Sequence, residues 1–97
     1  KPAQPNAFKF ERFIFDLLPM AERSLVIEGD AAEVFAPVKN ADGAATDTPA
    51  ATKKAISDLH KKWLRAAGAT VRDDVIVEIH PAWALDADEV KRKASGM

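Results

Sequence analysis

The stretch TPAATKKAISDLHKKWLRAAG, residues 48–68, decides how the chain folds. The Thr48 hydroxyl can cap the free amides of a helix start, and Pro49 suits the first turn, where no amide donor is needed. Apolar residues then recur every three or four positions until Gly68, a residue typical of helix ends. The spacing predicts a helix over 49–67.

Upstream of this helix the sequence predicts a second helix, followed by two short strands or one bent strand. Apolar residues recur at helical spacing over 7–22, with Asn6 as a cap. Pro19 interrupts this pattern, because its ring collides with the carbonyl four residues back and it has no amide proton. The β-branched and aromatic runs at 25–27 and 33–35 favour extended chain.

Downstream, the sequence predicts one more strand and a short helix. Residues 37–49 are rich in Asn, Asp, Gly and Thr, which favours a loop. Apolar residues alternate over 74–80 and stop at Pro81, the period of a strand with one buried face. Asp86 is a cap for a last helical turn. The predicted fold class is therefore α+β, with long helices packed on a small sheet.

The length bounds the domain organisation. Ninety-seven residues suffice for one hydrophobic core. We expect a tail or cut linker at 1–5, a single domain over 6–93 and a frayed tail at 94–97. The chain does not begin with Met and has no signal-peptide pattern, so we expect a piece of a longer protein.

Composition excludes several classes of function. Fourteen Lys and Arg stand against fifteen Asp and Glu, so the chain lacks the basic excess of a nucleic-acid binder. Without cysteine there is no disulfide framework, thiolate zinc site or cysteine nucleophile. No apolar run approaches the roughly 20 residues that span a bilayer. We expect a cytoplasmic protein.

The residues that could carry chemistry are few. No Gly-rich phosphate loop, zinc-protease motif or serine-hydrolase elbow is present, so no catalytic residue and no metal ligand is assigned. Lys39 lies between a proline and a polar loop, where an ammonium can reach a phosphate, although the residues alone favour an ordinary surface lysine. Lys9 is a weaker case. Phe13 and Phe15 lie about 200° apart on a helix, so one needs a second surface, from a missing domain or a ligand.

Two ungapped motifs carry a family resemblance. They are K-x-E-x-F-x-F-D at residues 9–16 and E-x-F-x-P-[VL]-K-N-A-D at residues 33–42. Over about residues 6–68 the chain resembles the carboxy-terminal part of the UDP-N-acetylglucosamine pyrophosphorylases, members of the UDP-sugar pyrophosphorylase (uridylyltransferase) family. Residues 78–90 resemble the family's last strand and tail.

The resemblance implies a nucleotidyltransferase that joins UTP and a sugar 1-phosphate into a UDP-N-acetylhexosamine and pyrophosphate, with Mg²⁺ as cofactor. It implies that Lys9 approaches the nucleotide phosphates and that Lys39 contacts the sugar phosphate. Phe13 and Phe15 would shape the sugar pocket. The fragment would then close a Rossmann-like catalytic domain and form the small carboxy-terminal domain.

The family's nucleotide loop, uracil-reading residues and metal-binding Asp are not in this sequence. We therefore expect the 97 residues alone to be inactive, with the Mg²⁺ ligands and an amino-terminal catalytic domain outside them. The sugar could be GlcNAc, GalNAc or glucose 1-phosphate. The alternative is a non-catalytic binding or interaction module. If the chain is a piece of such an enzyme, we expect Phe8, Phe13 or Phe15 to form an exposed apolar patch, or a dimer of the fragment that hides it.

Overall fold

A computed structural model describes residues 3–94 of the chain, and within this range all regular structure is helical. A 3-10 helix spans Ile14–Met20, and three α-helices follow: α1 at Ala31–Val34, α2 at Pro49–Ala66 and α3 at Ala87–Ala94. No β-strand occurs among these residues. The predicted α+β class, with helices on a small sheet, is therefore wrong for the described chain.

Helix α2 confirms the prediction made from residues 48–68. The Thr48 side chain accepts a hydrogen bond from the Ala51 amide at 3.1 Å, and Pro49 occupies the first turn. At the other end, Gly68 has φ +95°, a left-handed conformation that glycine adopts without a steric penalty. The chain can therefore turn back at once, and the Ala69 amide bonds the Leu64 carbonyl at 3.0 Å.

The hydrophobic core lies between α2, α3 and the segment that joins them. Its fully buried apolar residues are Ile79, Ala84 and Val90. Partly buried apolar residues surround them: Trp63, Leu64, Ala67, Val77 and Trp83. Only the second half of the chain thus shares a packed interior among residues 3–94.

The segment predicted as a strand, 74–80, has no regular secondary structure over 76–80 and pairs with no strand in the described chain. It runs beside α2 instead. The Val77 amide donates to Ser57 Oγ at 2.9 Å, and the Ile79 amide donates to His60 Nδ1 at 3.0 Å. The alternation still predicts which side of the segment is buried, since Ile79 is buried while Ile76 is 90% exposed. Helix side chains take the place of a neighbouring strand.

The predicted helix over 7–22 is largely wrong. Only Ile14–Met20 is helical, as a 3-10 helix that contains Pro19. Proline cannot donate the amide hydrogen bond that an α-helix needs at that position. Packing does not compensate, because every described residue from 3 to 36 is exposed.

The two short strands predicted before the loop are also absent. Residues 25–27 have no regular structure, and most of 33–35 belongs to α1. Asp30 explains α1, because its side chain accepts the Ala32 amide at 2.9 Å and caps the helix. The residue types at 33–35 favour extended chain, but the Asp30 cap outweighs that preference and residues 33 and 34 are helical.

Two further predictions, the loop before α2 and the cap at Asp86, agree with the structure. Residues 37–48 form a loop without regular secondary structure, as predicted. Asp86 caps α3 by accepting the Glu89 amide at 2.7 Å, and the helix runs to Ala94. Of the predicted tails, residues 1, 2 and 95–97 lie outside the described range. Within it, no helix has the length and apolarity to cross a membrane.

Candidate functional site

The loop between α1 and α2 presents Lys39 on a closed backbone turn. The amides of Lys39 and Asn40 both donate to the Asp47 carbonyl, at 2.9 and 3.0 Å. The Asn40 side chain donates to the Thr46 carbonyl at 2.9 Å. These three bonds join the two ends of the loop, so residues 39–47 form one hydrogen-bonded unit.

This unit is attached to the long helix at its base. Thr52 Oγ1 on α2 donates to the Pro37 carbonyl at 2.7 Å, two residues before Lys39. Thr48, which ends the loop and begins α2, is buried. The loop therefore starts and ends against the first turn of the most regular helix in the described chain.

The Lys39 side chain is free to meet a ligand. It is exposed, and its Nζ lies 5.7 Å from the centre of the Phe35 ring. An ammonium over an aromatic face gains a modest attraction that leaves its hydrogens available. No acidic side chain pairs with Lys39 within residues 3–94. Its charge is thus available to an incoming anion.

The other predicted site residues lie in the amino-terminal part. Lys9 is exposed and forms an ion pair with Glu11. Phe13 and Phe15, at the start of the 3-10 helix, are 57% and 67% exposed. No described contact within residues 3–94 joins Lys39 to any of these three. A site shared by all four residues stays a prediction.

An open cleft of about 1010 Å³ lies elsewhere, between α2 and the segment that leads to α3. Its walls include Ile56, Val75 and Leu85 beside buried or half-buried polar residues. One of these is Lys61, whose Nζ donates to the Asp73 carbonyl at 2.9 Å and lies 3.6 Å from Asp58. None of the four predicted site residues lines this cleft.

Surface ion pairs account for the shifted pKa values. A hydrogen bond from Lys54 lowers the pKa of Asp58, and one from Arg72 lowers the pKa of Asp74. A hydrogen bond to Glu33 raises the pKa of Lys62 and links α1 to α2. Carboxylates held in their charged form are poor general acids at neutral pH.

No metal site is present in the part of the chain that the structure describes. No three histidine, aspartate or glutamate side chains between residues 3 and 94 come close enough together to hold an ion. These residues therefore do not fit the Mg²⁺ that the family resemblance implies, and no step of chemistry is assigned to a metal here.

Comparison with known proteins identifies the family. The chain is 39% identical over 88 residues to the UDP-N-acetylhexosamine pyrophosphorylase-like protein 1 of Xenopus tropicalis, covering 91% of this chain. It is 38% identical over 81 residues to the UDP-N-acetylglucosamine pyrophosphorylase of Saccharomyces cerevisiae, and 31% identical over 93 residues to a probable enzyme of that name from Dictyostelium discoideum. The chain is therefore homologous to the UDP-N-acetylglucosamine and UDP-N-acetylhexosamine pyrophosphorylases.

The chain matches the carboxy-terminal part of these relatives. It spans 17 to 19% of the length of these three relatives. No family model matches the sequence, and no solved structure matches it. The resemblance derived from the two motifs is confirmed.

Sequence reasoning missed the residues that shape the site. Asn40 and Asp47 close the loop around Lys39, and Ser57 and His60 hold the segment after α2. Asn40 is part of the second motif, so its place beside the lysine was a usable signal. Asp47 gave none, because a backbone carbonyl that accepts two bonds leaves no mark in the sequence.

Proposed function

We propose that the chain is the carboxy-terminal region of a uridylyltransferase that makes a UDP-N-acetylhexosamine and pyrophosphate. The observation that carries this proposal is the 31 to 39% identity to three relatives over at least 81% of the chain. Two of these relatives are named for UDP-N-acetylglucosamine. An N-acetylhexosamine 1-phosphate is the sugar substrate that these names favour over glucose 1-phosphate.

The proposed reaction needs charge neutralisation more than acid or base groups. A phosphate oxygen of the sugar 1-phosphate attacks the α-phosphorus of UTP, a new P–O bond forms, and the bond to the β-phosphate bridge breaks, releasing pyrophosphate. Several anionic oxygens crowd together along this path, so correctly placed cations lower the barrier. An unpaired lysine on a closed loop suits that task.

In this scheme Lys39 contacts the sugar phosphate and Lys9 approaches the nucleotide phosphates. Phe13 and Phe15 contribute to the wall of the sugar pocket. The exposure of all four side chains supports the proposal, because each is accessible to a ligand or to another part of a longer chain. Lys9 would have to exchange its ion pair with Glu11 for a phosphate.

The remaining parts of the site are assigned to protein outside these residues. The Mg²⁺ would be held there, together with the nucleotide-binding loop. The apolar side chains of the first half, with Phe8 and Phe10 more than 90% exposed, would pack against that catalytic domain. The location proposed for the protein is the cytoplasm.

A chimera tests the proposal. The Saccharomyces cerevisiae relative would carry residues 6–97 of this chain in place of its own matching segment, and pyrophosphate release from UTP and GlcNAc 1-phosphate would be measured. We expect the chimera to be active and the 97-residue chain alone to match the blank. Lys39→Ala should lower kcat/KM by about 30- to 1000-fold, the 2 to 4 kcal/mol typical of one lost electrostatic contact.

Two variants sharpen this result. Lys53→Ala removes an exposed lysine on α2 and should leave kcat/KM within about twofold. Lys39→Arg should restore only part of the activity, because a planar guanidinium differs in reach from a compact ammonium. An active chimera that tolerates Lys39→Ala would contradict the assigned role. Turnover by the 97-residue chain would contradict the need for a separate catalytic domain.

A further inference from the structure

We infer that Asn40 and Asp47 are positioning residues that hold Lys39 in the orientation needed to contact the sugar phosphate. This inference rests on the proposed function and adds residues for which that proposal assigned no role. The backbone of the loop between α1 and α2 supports it. The lysine has a flexible four-carbon side chain, so its root must be held if its charge is to be placed accurately.

Asp47 has an unusual backbone conformation. Its φ is +55°, in the left-handed region, and it is the sole residue other than glycine with positive φ between residues 3 and 94. Such a conformation is disfavoured for a residue with a Cβ and persists where surrounding bonds require it. Here it turns the Asp47 carbonyl so that it accepts both the Lys39 and the Asn40 amides.

Asn40 adds a side-chain bond to this closure. Its Nδ2 lies 2.9 Å from the Thr46 carbonyl. A carbonyl oxygen only accepts hydrogen bonds, so the amide group of Asn40 must present its NH₂ there. An aspartate of the same size has no hydrogen to donate and would set two oxygens against each other. The bond is therefore specific for the asparagine amide.

The hydrogen bonds of Asn40 and Asp47 stabilise the conformation of the loop and do not contribute to the hydrophobic core. Asn40 and Asp47 are exposed and half-buried respectively, and neither touches the core around Ile79 and Val90. Before Lys39, the Thr52 hydroxyl holds the Pro37 carbonyl. At and after Lys39, the Asp47 carbonyl accepts the amides of Lys39 and Asn40. The backbone is thus held on both sides of the lysine, as preorganised electrostatic contacts require.

A double-mutant cycle in the active chimera tests this inference. Asn40→Asp should lower kcat/KM for GlcNAc 1-phosphate by roughly 10- to 100-fold, since a misplacement of about 1 Å can have that effect. In the Lys39→Ala background the same change should cost less than about threefold, because its effect acts through the lysine. Equal losses in both backgrounds would overturn the inference while leaving the role of Lys39 intact. A harmless Lys39→Ala would instead refute the proposed function.

Asp47 provides a matched pair of variants. Asp47→Gly allows positive φ freely and should retain kcat/KM within about threefold, whereas Asp47→Val resists that conformation and should lose activity as Asn40→Asp does. Equal losses for the two variants would show that the Asp47 side chain acts, not its backbone.

A second measurement uses the 97-residue chain and does not depend on activity. Hydrogen exchange by NMR should show the Lys39 and Asn40 amides protected in the wild type and exchanging faster in Asn40→Asp. The Val90 amide in α3 should be unchanged, because the core is not involved. Unprotected Lys39 and Asn40 amides in the wild type would overturn the inference, even if no chimera folds.

Discussion

Replacing Ser57 by alanine removes one of the side chains that attach the segment after α2 to the helix. Ser57 is 5% exposed, and its Oγ accepts the Val77 amide at 2.9 Å. Leaving a partly buried amide without an acceptor costs about 1 to 3 kcal/mol. Alanine favours a helix over serine by roughly 0.5 kcal/mol, which offsets part of that loss. We expect Ser57→Ala to lower the free energy of unfolding by about 0.5 to 2.5 kcal/mol.

Urea denaturation followed by tryptophan fluorescence can measure this change. Trp63 and Trp83 both pack against the core that the segment completes, so their emission reports on it. Ser24→Ala makes the same chemical change at an exposed position and should stay within about 0.5 kcal/mol of wild type. In Ser57→Ala the Val77 amide should also exchange faster with solvent. Stability at or above wild type, with unchanged exchange at Val77, would refute the reasoning.

Three other expectations concern the core, its pH dependence and the exposed surface. Val90→Ala should lower the free energy of unfolding by about 2 to 3 kcal/mol in the same assay, because a fully buried side chain loses two methyl groups and leaves a cavity. A hydrogen bond from Lys93 lowers the pKa of Glu89 from its ordinary 4.5. The folded protein is therefore stabilised by this carboxylate above pH 4.5, and that stabilisation is lost as the pH falls below it. In acid titrations followed by circular dichroism, Glu89→Gln should make the free energy of unfolding fall less steeply with pH in this range. The exposed rings of Phe13 and Phe15 should bind a hydrophobic dye or drive self-association in sedimentation, and a monomer that binds no dye would contradict this expectation.

The radius of gyration shows how unevenly the chain is packed. Its value of 18.8 Å exceeds the roughly 13 Å of a compact domain of this length. The amino-terminal third contributes to the difference, since residues 3–36 are all exposed. Predictions there failed because hydrophobic periodicity indicates which residues could share a buried face, and no described residue packs over that face.

The candidate site divides in the same way. Lys39, Lys9, Phe13 and Phe15 were found through two motifs, and the comparisons confirm the family that those motifs indicate. Their roles stay predictions. The closed loop around Lys39 was not predictable in detail, because the double acceptance by the Asp47 carbonyl depends on backbone conformation.

The sequence by itself determined the elements whose signals are local. The Thr48 cap, Pro49 and the glycine after the helix act within a few residues of each other, so α2 and its bounds could be predicted. Asp86 did the same for the start of α3. Capping bonds form between near neighbours and need no distant partner.

Only the tertiary structure decided what residues 76–80 become. The alternation of apolar residues specified which side of the segment is buried, and Ile79 is buried as it requires. A strand also needs a second strand at its edge, and no local pattern reports whether one is available. In the described chain Ser57 and His60 of α2 accept the Val77 and Ile79 amides that a neighbouring strand would take, so the segment lies beside the helix and not in a sheet.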